Sequence, residues 1–95
     1  MPVYMVERLL PAATVESFEA VQREAAATAR EFALHNKPVR YLRSTFTPGD
    51  SRCRCLFEAP TADLVQEVND AAQLPYSRIV LALDQPAPCR VRKEE

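Results

Sequence analysis

Residues 39–60 read VRYLRSTFTPGDSRCRCLFEAP and contain the only glycine of the chain, Gly49. Proline at position 48 presets one backbone angle of a turn, and the glycine after it accepts a positive one, so residues 47–51 predict a hairpin turn. The arm before this turn, 39–47, is rich in β-branched and aromatic residues, and the arm after it, 52–59, alternates polar with apolar residues. Both arms therefore predict strands that pair as an antiparallel hairpin.

Amphipathic helical segments flank the hairpin on both sides. Before it, apolar residues recur at three- and four-residue spacing over 15–32, after Thr14 as a helix cap and before Asn36 as a stop. After it, residues 60–63 begin a second helix with a cap and an acidic first turn, and Leu74-Pro75 ends that helix. Two outer strands come from short apolar runs at 3–10 and 78–83. This order predicts an α+β, ferredoxin-like βαββαβ fold, with a four-stranded antiparallel sheet and both helices on one face.

Length and composition indicate one small folded domain. A chain of 95 residues encloses a single core. We place that core in residues 1–84 and treat 85–95 as a C-terminal extension. Basic and acidic residues are interspersed and the formal net charge is −1, so no field exists that would hold a nucleic-acid backbone. No apolar run reaches the roughly 18–20 residues that span a bilayer, and the first residues lack the features of a secretory signal. We therefore expect a cytoplasmic protein with neither nucleic acid nor membrane as a partner.

The cysteines of the hairpin are expected to lie under the helices. Side chains alternate along a strand, so Cys53 and Cys55 share one face with Phe57. The length of the turn keeps this face on the same side of the sheet as a second set from the preceding strand, namely Leu42, Ser44 and Phe46. We therefore predict that the two thiols are buried and reduced.

A metal site and a redox site are the alternatives for this Cys-x-Cys pair. A separation of roughly 7 Å along the strand leaves the two side chains parallel, and a disulfide between them would strain the backbone. Structural zinc takes about four ligands, whereas the only histidine, His35, lies at the end of the first helix. Small buried thiols are the favoured interpretation. Cys89, in the proline-rich tail, is expected to be a free exposed thiol.

The opposite face of the sheet is uncovered and has a mixed chemistry. It is expected to carry Tyr41, Arg43, Thr45, Arg54, Leu56, Glu58 and, for one parity of the first strand, Val3, Met5 and Glu7. Arginine forks, a tyrosine hydroxyl and carboxylates describe a small amphipathic pocket. The candidate ligand-binding residues are Glu7, Tyr41, Arg43, Arg54 and Glu58. The alternative is a set of cross-strand salt bridges on a face half covered by a dimer partner, and Glu7 with Glu58 would suit acid–base work if buried together.

Four separated blocks carry a resemblance to a known family: 1–8 (MPVYMVER), 41–44 (YLRS), 55–60 (CLFEAP) and 71–79 (AAQLPYSRI). Together, over residues 1 to about 83, they resemble a family of small bacterial ferredoxin-like proteins. That family was long catalogued as a domain of unknown function and is now labelled by a nickel-binding actinobacterial member. The resemblance implies a homodimer with a dimeric α/β-barrel-like association and a capacity for metal binding, without fixing a chemistry.

Three functions from different classes remain open at this point. The first is a homodimer that binds a small anionic or amphipathic molecule between its sheets, which the arginines and Tyr41 favour. The second is a protein that binds nickel or another transition metal, as the resemblance implies. The third is a cofactor-free isomerase, cyclase or monooxygenase of the dimeric α/β-barrel type, by analogy of fold. The sequence names neither the ligand nor a cofactor.

Overall fold

The computed structural model describes residues 1–88, so the expected exposure of Cys89 lies outside the described residues. The elements, in chain order, are β1 (Val3–Leu9), α1 (Val15–Leu34), β2 (Arg40–Thr47), β3 (Arg52–Glu58), α2 (Ala62–Ala71) and β4 (Arg78–Ala82). This is the predicted βαββαβ order, and the observed ends differ from the predicted ones by a few residues. The division into a domain of 1–84 and an extension of 85–95 stays a prediction.

The four strands form one sheet in the order β2-β3-β1-β4, and every neighbouring pair is antiparallel. Both helices pack on one side of it, which we call the helix face, and the other side is the open face. In β1, Met5 lies opposite Leu56 of β3 and Val80 of β4, so these three side chains share the open face. The parity of β1 that carries Val3, Met5 and Glu7 therefore faces away from the helices, a choice that the sequence left open.

The β2–β3 turn differs in detail from the sequence prediction. Gly49 does not take a positive φ; the residue in the left-handed region is Ser51, with φ of 59°. The backbone NH of Ser51 donates to the carbonyl of Pro48 over 3.4 Å. The Asp50 carboxylate accepts from the Arg52 NH over 3.2 Å. A four-residue turn of this kind places its left-handed residue last, just before the returning strand, so the glycine is not needed for it.

Polar caps fix the ends of both helices. The Thr14 hydroxyl accepts from the Ser17 NH over 3.1 Å, and the Ser17 hydroxyl accepts from the Thr14 NH over 2.8 Å. Asn36 then ends α1 with a φ of 65°. Thr61 caps α2 by accepting from the Leu64 NH over 3.2 Å. A cap of this type stabilises a helix by about 1 kcal/mol. The start of each helix is therefore determined by residues close to it in the sequence.

The core lies between the helix face and the two helices. Its fully buried members include Val6, Phe57, Val65 and Val68, and Cys53 and Cys55 both have 0% exposure. The prediction that these two thiols are buried is therefore confirmed. Burying a side chain such as Phe57 stabilises the fold by about 1.5–3 kcal/mol.

The register of the hairpin confirms most of the predicted faces. Ser44 lies opposite Cys55, and Phe46 lies opposite Cys53, so these four residues share the helix face. Their pairing follows from the turn, which closes with Thr47 opposite Arg52.

An irregularity in β2 changes the faces near its start. Tyr41 lies opposite Phe57, which is a core residue. The next pair along the hairpin is Arg43 and Leu56, so β2 contains one additional residue, Leu42, between the two pairs. Strict alternation placed Leu42 under the helices and Tyr41 on the open face. The bulge reverses this expectation, and Tyr41 points to the helix face.

Within residues 1–88, neither helix has the length and apolar character needed to cross a membrane.

Candidate functional site

Three arginines from two strands converge on Glu7 on the open face. Glu7 lies opposite Arg54 of β3 on one side and Arg78 of β4 on the other. Arg78 Nε donates to Glu7 Oε1 over 2.8 Å, and Glu7 Oε2 lies 3.4 Å from Arg54 Nε. Arg52 Nη1 also lies 3.4 Å from Glu7 Oε2. We call these four residues the Glu7 cluster.

The Glu7 cluster has more positive than negative charge. The hydrogen bond from Arg78, and then the charges of Arg78, Arg52 and Arg54, hold the pKa of Glu7 below its usual value, so it is ionised at neutral pH. The guanidinium groups themselves cover this carboxylate, whose side chain is 7% exposed. One carboxylate against three guanidinium groups leaves an excess of two positive charges, which Asp50, 3.6 Å from Arg52, reduces.

The arginines remain accessible although the carboxylate is covered. The exposed fractions of the Arg78, Arg52 and Arg54 side chains are 59%, 43% and 35%. A guanidinium presents five N–H donors, and Glu7 occupies only some of them. The remaining donors face solvent on the open face and are suited to a carboxylate or a phosphate.

The other arginine of the candidate set, Arg43, is engaged elsewhere. It forms an ion pair with Asp84, which follows β4, while β2 and β4 are the two edges of the sheet. The segment after β4 must therefore turn over the open face for the two side chains to meet. Glu58 pairs instead with Arg40, at 3.4 Å between Arg40 Nε and Glu58 Oε1.

The two candidate carboxylates do not form a pair. Glu58 lies opposite Val3, four residues before Glu7 on β1. This spacing corresponds to roughly 13 Å along the strand. The suggestion that Glu7 and Glu58 act together as acid and base is therefore wrong.

Tyr41 is the candidate residue whose predicted face the structure contradicts. Its hydroxyl accepts from Gln22 Nε2 of α1 over 3.0 Å and lies 2.6 Å from Ser44 Oγ. Its ring packs edge-on against Phe57, with 5.5 Å between ring centroids. The cause is the additional residue Leu42, which shifts the alternation by one.

A cavity also lies on the helix side of β2. It measures about 430 Å³, and its lining includes Ala29 and Ala33 of α1 together with Met1, Val39 and Tyr41. This lining is mainly apolar. The structure thus contains an apolar groove beside α1 and, on the open face, a charged cluster around Glu7.

A second polar group, which we call the thiol cluster, lies within the core and consists of Arg8, Ser44, Cys53 and Cys55. The Sγ atoms of Cys53 and Cys55 are 3.7 Å apart, so the expectation of parallel, separated thiols is wrong. The Ser44 hydroxyl donates to Cys55 Sγ over 2.9 Å. Arg8, opposite Cys53 on β1, is 2% exposed and lies on the same face.

The two thiols are electrostatically different. Hydrogen bonding with Cys53, then the Ser44 hydroxyl and the charge of Arg8, lowers the pKa of Cys55. Hydrogen bonding with Cys55, together with burial, raises the pKa of Cys53. Only Cys55 receives the additional hydroxyl donor, so Cys55 is the more acidic of the two thiols.

Sequence reasoning missed Arg8, Arg52 and Arg78. Arg52 lies two residues before Arg54 on β3, so alternation places it on the same face. Arg78 pairs with Glu7 across β1 and β4, so it could be placed on this face once the register of these strands was known. Arg8 follows Glu7 and must therefore face the helices, which is an unusual place for a guanidinium. A charged residue at a position that alternation assigns to the core was the signal that could have identified Arg8.

Metal-ligating side chains are sparse within residues 1–88. No group there brings together three or more His, Cys, Asp or Glu side chains that could hold a metal ion. His35 is exposed after the end of α1, with Nδ1 2.8 Å from the carbonyl oxygen of Glu31. A nickel site with several imidazole ligands therefore does not fit the donors of a single chain.

Comparisons with known proteins agree with this fold. The crystal structure of SCO4226 from Streptomyces coelicolor A3(2) matches with a TM-score of 0.74 and 18% identity, over 88% of this chain and 99% of that chain. At this identity the likeness shows the fold alone. No curated protein matches the chain.

A family model, described as nickel responsive protein SCO4226-like, matches residues 4–81. The matched range includes both helices and all four strands, except for the first residue of β1 and the last residue of β4. The resemblance seen in the sequence is thereby confirmed, and the chain belongs to the SCO4226-like family of nickel responsive proteins.

Proposed function

We propose that this protein is a homodimer that holds a small anionic molecule between the open faces of its two sheets. The observation that carries this proposal is the surplus of guanidinium groups around Glu7. A structural salt bridge needs one cation for one carboxylate. Three accessible arginines around a single covered carboxylate leave donors and positive charge for a second anion.

The composition of the open face supports a covered arrangement. Between the Glu7 cluster and the Arg40–Glu58 pair lie Met5, Leu56 and Val80, which are half-buried in the single chain. An antiparallel sheet with one solvated face normally shows polar residues there. Apolar side chains beside a charged cluster suit an interface in which a second copy covers the sheet and lowers the local dielectric.

The ligand class follows from the donors. Nε and Nη groups in a fixed fork bind carboxylate and phosphate oxygens bidentately, and the apolar residues beside them suit a short hydrocarbon portion. The proposed site comprises Arg52, Arg54 and Arg78, with Glu7 as the residue that holds the three guanidinium groups in place. Arg43 and Glu58 lie at its margin, and Tyr41 stays outside it.

The test is a titration of purified protein with inorganic phosphate and a panel of small carboxylates, followed by calorimetry on variants. Arg54→Met should weaken binding of the best anion about ten- to a hundred-fold, because a charge-assisted contact contributes roughly 1.5–3 kcal/mol. Arg40→Met is the matched control, since Arg40 lies on the same face but pairs with Glu58. Equal affinities of Arg54→Met, Arg40→Met and wild type would contradict the site.

The dimer is tested separately by sedimentation velocity. We expect a dimer at micromolar concentration, and we expect Leu56→Glu to shift it toward monomer, because a carboxylate would be buried in the interface. A monomeric wild-type protein would contradict the association while leaving the anion titration informative about a single sheet.

A nickel-binding role is the second candidate, and the description of the family is the observation that favours it. Within residues 1–88 of one chain, no three His, Cys, Asp or Glu side chains come together to bind a metal ion. Metal analysis after incubation with nickel and gel filtration tests this role. Nickel retained at one ion per chain would favour it over the anion proposal, and loss of that nickel in His35→Ala would identify the ligand.

A further inference from the structure

The thiol cluster lies on the face opposite the proposed anion site and is not explained by it. Cys53 and Cys55 have 0% exposure, and their sulfurs are 3.7 Å apart. Two thiols in a core need no such convergence for packing alone, since each could point into its own apolar surroundings. Their approach places two soft donors within hydrogen-bonding distance of each other.

Arg8 places a positive charge beside these sulfurs. Its Nη1 donates to the carbonyl oxygens of Leu74 and Pro75 over 3.2 and 3.1 Å. Its Nη2 donates to Asn69 Oδ1 over 2.7 Å. These acceptors are neutral, and no ion pair to Arg8 occurs within residues 1–88.

The guanidinium of Arg8 is also incompletely hydrogen-bonded. Nε is buried and has no hydrogen-bond partner in the described part of the chain. A buried cation without a counter-charge is strongly disfavoured, and an unpaired buried donor adds to that penalty. The site therefore lacks a negative charge, and the neighbouring sulfurs are the groups that can supply it.

We propose that Cys53 and Cys55 bind one cuprous ion as a dithiolate, with Arg8 as its counter-ion. Thiolates are soft ligands that suit Cu(I), zinc and iron–sulfur clusters. Binding converts two thiols and one Cu(I) into a complex of charge −1 and releases two protons. The guanidinium then makes the buried group neutral overall.

The charge and the donor number both favour this ion over zinc or nickel. A divalent ion with two thiolates is neutral, so Arg8 would remain an uncompensated buried cation. Zinc also takes about four protein ligands in a closed site, and within residues 1–88 only Cys53 and Cys55 place a sulfur here. Cu(I) with two sulfurs does not require further protein ligands.

The spacing of the sulfurs limits how they can share an ion. With metal–sulfur bonds of about 2.3 Å, sulfurs on opposite sides of one ion lie about 4.6 Å apart, so the pair must open from 3.7 Å when a two-coordinate ion binds. Residues two apart on a strand have Cα atoms about 6.6 Å apart, near the outer limit for a disulfide. The Ser44 hydroxyl donates to Cys55 Sγ, and this hydrogen bond would orient the sulfur without contacting the metal itself.

The test uses the reduced protein under anaerobic conditions with Cys89→Ser as the background, so that only the described cysteines are present. Cu(I) is supplied from a competing colorimetric chelator, and bound copper is quantified per chain. We expect one Cu(I) per chain, and we expect Cys53→Ser and Cys55→Ser each to lower the affinity at least a hundred-fold. X-ray absorption should show two sulfur neighbours around copper.

Arg8→Lys supplies a second, less disruptive variant, because it keeps the positive charge and should retain copper more tightly than Arg8→Gln. Circular dichroism on each variant separates loss of the fold from loss of the site. Binding that persists in both cysteine variants, absence of binding by the folded background protein, or recovery of a Cys53–Cys55 disulfide in place of bound copper would overturn the proposal.

Discussion

Glu7 and Arg8 are neighbours in β1, yet they lie on opposite faces of the sheet and differ in the amount of opposite charge around them. Glu7 is covered by three guanidinium groups on the open face. Arg8 is buried in the core among backbone carbonyls, an amide and two thiols. The carboxylate therefore has more counter-charge than it needs, and the guanidinium has less.

This contrast indicates which kind of ligand each face of the sheet can bind. An excess of cations at the surface favours a dissolved anion that can exchange with solvent. A deficit of negative charge in the core favours a permanent or slowly exchanging group, because desolvation makes the deficit expensive. Alternation along one strand is enough to create both situations within two consecutive residues.

The largest expected effect comes from removing the buried charge. Arg8→Met should lower the free energy of unfolding by about 3 kcal/mol, because the buried Asn69 oxygen and two part-buried carbonyl oxygens lose their donor. Urea denaturation measures this loss. The control is Arg78→Met, whose side chain is 59% exposed and should cost at most about 1 kcal/mol. Equal losses in the two variants would remove the distinction between the faces.

The second effect concerns Glu7 and depends on pH. Because its pKa in the folded protein is lowered, Glu7 stabilises the fold above the pKa of the unfolded carboxyl, and this contribution is lost as the pH falls through the folded value. The difference in unfolding free energy between wild type and Glu7→Gln should be constant near neutral pH and shrink below about pH 4.5. A difference that grows on acidification would contradict the ion cluster.

A smaller effect is expected for Tyr41→Phe. The variant loses the hydrogen bonds of the phenol with Gln22 and Ser44, which contribute about 0.5–1.5 kcal/mol to stability. Anion affinity should not change, since Tyr41 faces the helices. Weaker anion binding with unchanged folding would show that Tyr41 reaches the open face.

The smallest effect is expected for Arg43→Met. The Arg43 side chain is 61% exposed and pairs with Asp84, and such pairs typically contribute about 0–1 kcal/mol. Thermal unfolding and anion titration should both remain close to wild type. A loss of anion affinity as large as that of Arg54→Met would extend the site across the sheet to β2.

The order of elements was predictable from local sequence signals. Thr14 and Thr61 cap the helices, and the proline turn at 48 separates two alternating strands, so each element is determined by nearby residues. Parity then placed Cys53 and Cys55 in the core without further information.

The candidate site was predictable only in part. Alternation found Glu7 and Arg54 and could have added Arg52, but Arg78 depends on the register of β1 with β4, which no local signal determines. Tyr41 was placed on the wrong face because a single additional residue reverses the parity. Convergence of the two thiols depends on side-chain rotamers, which strand geometry alone does not specify.

The most direct test of the contrast between Glu7 and Arg8 is a phosphate titration followed in the NMR signals of arginine Nε–H groups, assigned from single arginine variants. The account predicts progressive shifts for Arg54 and Arg78, whose Nε atoms contact Glu7, and no shift for the buried Arg8. Equal shifts of every exposed arginine, or shifts confined to Arg40 and Arg43, would contradict an anion site at the Glu7 cluster.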